Sequence, residues 1–260
     1  MPSVNIEKAV YVSSGRELSE ISRRSFSRIY YGAEFCENLI PLPGQVTRVS
    51  TRARKEGFAL SFLTPYCTDA GLERLGKIFS LLPDRTEVIL NDFGVFKRMQ
   101  EMGFDNLIPV LGRLLVKYKR DPRITFFKME ERLRGYLRSS NINIPEFQEF
   151  LLRNGINRIE IENSFQGYNF RPDKNIRVSL YYPYVYISTA VRCVFKRALN
   201  LPDCRRDCHS GIIKSTVSGL PVNIITRGNT EFYSNNRLDS TSALKILNMD
   251  RMVFFARPPF

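Results

Sequence analysis

Short apolar, β-branched runs alternate with amphipathic stretches along most of this chain, and that rhythm limits the available folds more than any single motif. Ala9–Ser14 (AVYVSS), Arg28–Phe35 (RIYYGAEF), Phe58–Thr64 (FALSFLT), Glu87–Leu90 (EVIL), Asn106–Leu111 (NLIPVL) and Arg158–Glu162 (RIEIE) read as strands. Between them, Gly15–Ser25, Val46–Gly57, Asp69–Leu82, Val95–Met102 and Pro145–Asn154 read as helices. Asp69 is a plausible N-cap, Pro145 suits a first turn, and Gly57 and Gly155 act as stops. Arg177–Ile187 (RVSLYYPYVYI) reads as a strand interrupted by Pro183. Val222–Thr226 and Glu231–Tyr233 read as strands, Ser240–Asn248 as a helix and Met252–Ala256 as a last strand.

Strand and helix recurring about every 25 to 30 residues predict βα units and parallel strands. With 260 residues, near the ~250 typical of that fold, the reading is α/β: a (β/α)8 TIM-barrel-like domain over residues 1–260, incomplete or distorted in places. It carries a basic inserted segment at about 113–140 and a cysteine-rich loop at the C-terminal face of the strands. An open doubly wound sheet is the alternative, weakened because no glycine-rich phosphate fingerprint follows the first strand.

The rhythm breaks at Arg113–Ser140, where nine basic residues stand against three acidic ones up to Arg138, interleaved with Tyr118, Phe126, Phe127 and Tyr136. Such a stretch can grip phosphates and stack on bases. The spacing of Phe126, Phe127, Leu133 and Leu137 equally predicts a helix packed on the barrel with its charges solvated. The net charge of +13 favours anionic partners without choosing among them. No apolar run approaches the ~20 residues of a membrane span. The first residues lack the pattern of a secretory signal, which predicts a cytoplasmic protein with reduced thiols.

Three of the five cysteines lie within RCVFKRALNLPDCRRDCH: Cys193, Cys204 eleven positions later and Cys208 four after that. With Pro202 and no apolar periodicity between them, they read as ligands on a loop. Cys36, at the end of the second predicted strand, is the candidate fourth ligand, because strand ends converge on one face of a barrel. A four-thiolate set suits zinc or an iron–sulfur cluster. The spacing is not that of paired zinc knuckles. The alternative is that Cys36 is a buried strand-end thiol and only three thiols matter. Arg192, Lys196, Arg197, Arg205 and Arg206 would lower thiolate pKa values and raise a cluster's potential, or merely add to a basic surface. Cys67 is either a fifth thiol near that face or a buried free cysteine. His209, the only histidine, is either a ligand or incidental. Asp92 is either a polar group at the mouth or a helix cap.

Three blocks carry a family resemblance: RIYYGAEFC at Arg28–Cys36, EVILNDFGV at Glu87–Val95, and the Arg-Cys, gap, Cys-x3-Cys arrangement of Ser188–Cys208. Together they resemble the collagenase-like peptidases (family U-thirty-two), most closely the short iron–sulfur members of UbiV type from oxygen-independent ubiquinone biosynthesis. The resemblance implies a barrel with a [4Fe–4S] cluster on Cys36, Cys193, Cys204 and Cys208. It also implies a part in oxygen-independent hydroxylation of a small aromatic, quinone-precursor-like molecule or an RNA base, with an anionic small molecule such as prephenate as oxygen donor. A heteromeric partner from the same family is implied too. Catalytic residues beyond the ligands are not assigned. Two alternatives stay open: a collagenase-like peptidase, although a triad needs a positioned base and no HExxH is present, and a nucleic-acid-binding protein with a structural metal such as zinc.

Overall fold

The computed structural model describes residues 6–198, 204–209, 211–238 and 247–259. Eight parallel strands close into a barrel: β1 (Glu7–Tyr11), β2 (Arg28–Gly32), β3 (Ala59–Leu63), β4 (Glu87–Leu90), β5 (Ile108–Leu111), β6 (Arg158–Glu162), β7 (Arg177–Tyr182) and a last strand, β12 (Met249–Phe254), which pairs with both β7 and β1. This closed order is the TIM-barrel architecture and excludes the open sheet. The thinnest seam is β5 to β6, joined at Leu111 and Ile159.

Helices α1 (Gly15–Leu18), α2 (Pro43–Lys55), α3 (Asp69–Phe79) and α4 (Phe93–Glu101) connect the first five strands. Each longer helix starts where local chemistry satisfies its free amides. Pro43 opens α2 while the Gln45 side chain accepts from Leu42 N at 2.8 Å. Thr68, rather than the expected Asp69, caps α3, because its hydroxyl accepts from Gly71 N. Asp92 caps α4 through Gly94 N at 2.7 Å. The β5–β6 connection carries α5 (Glu131–Leu137) and α6 (Pro145–Arg153), and residues 163–176 join β6 to β7 as turns and loop. Among the described residues, no helix is long and apolar enough to cross a membrane.

Outward residues of the strands, such as Val10, Ile29, Phe62, Val88, Leu90, Ile159, Ile161, Val178 and Leu180, pack under the helices. The inward set, Ala9, Tyr11, Tyr30, Leu63, Ile89, Val110, Tyr181, Val253 and Phe255, fills the barrel. In RIEIE the two isoleucines face the helices, so Arg158, Glu160 and Glu162 point into the barrel, with Glu160 and Glu162 fully buried. The interior is therefore tiered. At the base, Arg251 makes paired hydrogen bonds to Glu87 (2.7 and 2.9 Å) and reaches Glu7 at 2.6 Å, which in turn takes Arg28 at 2.9 Å. In the middle, the hydroxyls of Tyr30 (2.7 Å) and Tyr181 donate to Glu160. At the mouth, Arg113 is forked onto Glu34 with two bonds of 2.6 Å, and Arg120 onto Glu162 at 2.9 and 3.0 Å.

Between β7 and β12 the chain leaves the barrel and builds a four-stranded antiparallel sheet, ordered β8 (Tyr184–Thr189), β11 (Thr230–Ser234), β10 (Ile224–Arg227) and β9 (Ile213–Ser215). The single interrupted strand expected over Arg177–Ile187 is thus two strands in different sheets, parting at the cis Tyr182–Pro183 bond. A proline has no amide to give a ladder, so the change of sheet falls there. The sheet caps the mouth. Phe35 packs edge-on against Tyr186 and Phe232, and the Tyr186 hydroxyl donates to Arg113 O at 3.3 Å. The helix expected over Ser240–Asn248 falls mainly on residues 240–246, outside the described residues.

The expectation that the Arg113–Ser140 segment packs a helix on the barrel is not met. α5 buries none of its residues, and Phe126, Phe127, Leu133 and Tyr136 are half or more exposed. Five of the nine basic residues have acidic partners: Arg113 and Arg120 are buried ion-pair partners, Arg123 pairs with Asp121, and Arg134 and Arg138 face Glu131.

Candidate metal centre

Cys36 directly follows Phe35, at the lip of β2 and ahead of the turn Glu37–Leu39. Cys193 stands just before the short helix α7 (Val194–Ala198), beyond a strand of the cap and not at a barrel strand end as expected. Cys208 is buried in the turn Asp207–His209, while Cys36, Cys193 and Cys204 are half-buried; all four are free thiols.

The tip of the β10–β11 hairpin organises these segments. Its two-residue turn has Gly228 at a φ of +58°, the left-handed geometry such hairpins require. Buried Arg227 donates from Nε to Cys208 O at 2.9 Å and from Nη2 to His209 O at 3.0 Å, and its Nη1 donates to Pro258 O. Gly228 O accepts from Val194 N at 3.2 Å, next to Cys193. Asn229 Nδ2 donates to Phe35 O at 2.8 Å, next to Cys36, and to Ala190 O at 2.5 Å. Three consecutive residues thus hold the neighbours of Cys208, Cys193 and Cys36. The sequence reading missed all three; its one available signal was a Gly-Asn pair between two strand-like runs.

The thiols are close enough to sense one another. Burial pushes the Cys36 thiol up, and the charges of Cys204 and Cys193 add to this. Burial also raises Cys208, to about 11, with Cys193, Cys36 and Cys204 adding and Arg227 opposing. The neutral thiols are thus favoured until a cation arrives. Of the basic sequence neighbours, Arg192, Lys196 and Arg205 are exposed and Arg197 lies in α7; the charge of Arg227, in β10, opposes the rise at Cys208. Among the described residues, no group of three or more His, Cys, Asp or Glu is arranged to hold a single metal ion.

Cys67 sits beside the turn that follows Cys36, where its neighbour Thr68 donates to Glu37 from N at 2.8 Å and from Oγ1 at 2.9 Å. Burial raises the Cys67 thiol to about 12, helped by Asp92 and Glu37, and its amide donates to Asp92 at 3.1 Å. His209 is exposed. Partial burial and the charges of Arg227, Arg206 and Arg257 lower its pKa.

The mouth below is filled. Arg113 lies 4.3 Å from the Tyr181 ring centroid, 5.1 Å from Phe35, 5.6 Å from Phe255 and 5.7 Å from Tyr186. With Glu34 and Glu162 buried beside it, the axis of the barrel is a packed core. Chemistry at this end belongs to the rim between barrel and cap.

No family model matches the sequence, and no curated protein matches it. Among solved structures, the fold is similar to the U32 peptidase Mk0906, with 10% identity over 100% of this chain and 96% of that one, at a TM-score of 0.48. It is also similar to the putative copper homeostasis protein CutC from Streptococcus agalactiae (9% identity, 96% and 98% of the two chains, TM-score 0.46) and to a GH18 chitinase from Cycas revoluta (11%, 95% and 94%, TM-score 0.34). Each likeness is remote, and the barrel rests on its own strand pairing rather than on them.

Proposed function

We propose that this chain is an iron–sulfur protein, allied to the collagenase-like peptidase family and its short UbiV-type members, with Cys36, Cys193, Cys204 and Cys208 as ligands of a [4Fe–4S] cluster. Its activity would be a share in oxygen-independent hydroxylation of a small aromatic molecule or an RNA base. The observation that carries this reading is that one hairpin tip ties together the segments bearing Cys36, Cys193 and Cys208, through Asn229 to Phe35 O, Gly228 O to Val194 N and Arg227 to Cys208 O. A cubane cluster takes one thiolate at each of four separate irons, so its ligands need to share a pocket, not a single point. The donor set fits: four thiols, two of them destabilised as anions until metal binds.

A bound cluster would supply redox or Lewis-acid chemistry. The chain's own residues do the rest. Arg227 and Asn229 fix the ligand-bearing segments through backbone carbonyls. Phe35, Tyr186 and Phe232 keep the floor of the site apolar. Arg113 and Glu34 close the barrel beneath it. An anionic oxygen donor and a heteromeric partner of the same family remain part of the proposal. A peptidase draws no support from His209, whose pKa is lowered by partial burial and the charges of Arg227, Arg206 and Arg257, whereas a triad needs its histidine oriented by a third group.

Anaerobic purification followed by iron and sulfide analysis tests the assignment. The expected protein is brown, with about four irons and four sulfides per chain. Cys204→Ala should lose its iron, and Cys67→Ala should keep it. Colourless protein with one zinc would replace the cluster by a structural metal and favour the nucleic-acid reading. Unchanged iron in Cys204→Ala would remove Cys204 from the set. The hydroxylation is tested separately, by a mass gain of one oxygen on a candidate aromatic under anaerobic conditions.

A further inference from the structure

Beside the loop after β1 lies a cavity of about 680 Å3, within the size range of small-molecule pockets. Ser13, Ser14, Arg16 and Ser19 form one wall, and Arg48, Val49 and Arg52 of α2 form the other, with Tyr31 of β2 also lining it. Three guanidinium groups line the space, and among the described residues no carboxylate does. The nearby acids are committed elsewhere: Glu17 accepts from Ser13 N at 2.6 Å and from Arg257, and Glu56 pairs with Arg52 at 2.7 Å. Arg16 and Arg48 pair with no acid among the described residues.

Tyr31 supplies an independent pointer. Its residue is 4% exposed, its ring packs on Phe62, and it lines the cavity. Among the described residues no protein group occupies its hydroxyl, which is open to a bound molecule on the cavity side. Burial raises it to about 12, with the charge of Arg48 opposing the rise; both residues line the same cavity. A neutral O–H donor and two unmatched guanidiniums at one cavity, with Val49 and the tyrosine ring offering apolar surface, match a doubly charged anion with a small apolar part.

We propose that this cavity binds a small dianionic metabolite, a phosphate monoester or a dicarboxylate, with Arg48, Arg16 and Tyr31 as its anchors. The site does not depend on the cysteine centre: it shares no residue with it.

Isothermal titration calorimetry of the purified chain at fixed ionic strength, with phenyl phosphate, inorganic phosphate and malonate as probes, tests this. Saturable one-site binding of phenyl phosphate is expected. Arg48→Met should weaken it about tenfold or more, and Tyr31→Phe by a few-fold, as the loss of charged and neutral hydrogen bonds requires. Arg54→Gln, which removes a charge from the same helix outside the cavity, should leave it unchanged. Stronger binding of phenyl phosphate or of malonate decides between the two dianion classes. Heats with no saturation, or equal weakening in Arg48→Met and Arg54→Gln, would overturn the site in favour of a diffuse basic surface. Thermal melts of each variant separate weakened binding from unfolding, since Arg48 is exposed.

Discussion

Replacing Arg113 by methionine isolates the energetic role of the charged plug at the barrel mouth. The Arg113 side chain is wholly buried and that of Glu34 1% exposed, and their two bonds of 2.6 Å are the main compensation for removing both charges from water. Burial, with the charge of Glu162 adding, raises the Glu34 carboxyl, and Arg113 is the chief influence opposing it. Methionine keeps much of the volume and the contacts with the four surrounding rings, so the loss is mainly electrostatic. Stranding one member of a buried pair costs roughly 3–5 kcal/mol. That is a large part of the ~5–15 kcal/mol by which a domain is stable, yet the variant should still fold. Adding Glu34→Gln removes the stranded charge and should return about 2 kcal/mol. Urea unfolding followed by far-UV circular dichroism, on wild type, both single variants and the double, closes the cycle. A cost below about 1 kcal/mol for Arg113→Met, or singles that add to the double within about 0.5 kcal/mol, would refute the claim that this pair acts as one buried unit.

Three further outcomes are expected. Asn229→Ala removes three hydrogen bonds and should cost about 1–3 kcal/mol, with iron per chain falling in parallel; full iron at lowered stability would separate the hairpin from the ligand set. Glu160 is held near pKa 8, chiefly by burial, with Tyr181 and Tyr30 opposing. An unfolded glutamate titrates near ~4.3, so between about 4.3 and 8 the native state keeps a proton the unfolded chain has lost, and stability falls as pH rises, by up to about 1.4 kcal/mol per unit. Glu160→Gln should flatten that slope in denaturation midpoints taken from pH 5 to 8. Gly32 sits at a φ of +132°, and an added Cβ would meet Leu63 O at 2.4 Å. Gly32→Ala should therefore destabilise by roughly 3 kcal/mol or more, and a melting temperature within a degree or two of wild type would contradict the backbone contact.

The barrel was legible because its strands carry a local signal. Glu87–Leu90 and Arg158–Glu162 are the strands expected, since apolar β-branched runs framed by helix caps admit few other readings. What the signal could not give was the side a residue faces. The polar face of RIEIE looks like a solvent face, yet it points into the barrel, where arginines and tyrosines from distant strands receive it. At 113–140 a count of charges could not show which were already paired: Arg113 and Arg120 find Glu34 and Glu162, 79 and 42 positions away. Pro183 was seen, but a break within a strand and a step between two sheets read alike in one dimension. The cysteines were legible as a group in the sequence. The hairpin tip Arg227–Gly228–Asn229, which holds their neighbours, was not, because it acts through backbone carbonyls that leave no mark on the sequence.

The excursion between β7 and β12 bears on how the molecule is made. A ribosome releases seven barrel staves and then the whole lid before the stave that seals them. Until that last stave arrives, the first and seventh expose unpaired edges, the kind that invite other chains. Building of the lid and sealing of the barrel thus fall in the same late interval of synthesis, and a delay in the last stave would prolong the stage at which those edges stand open.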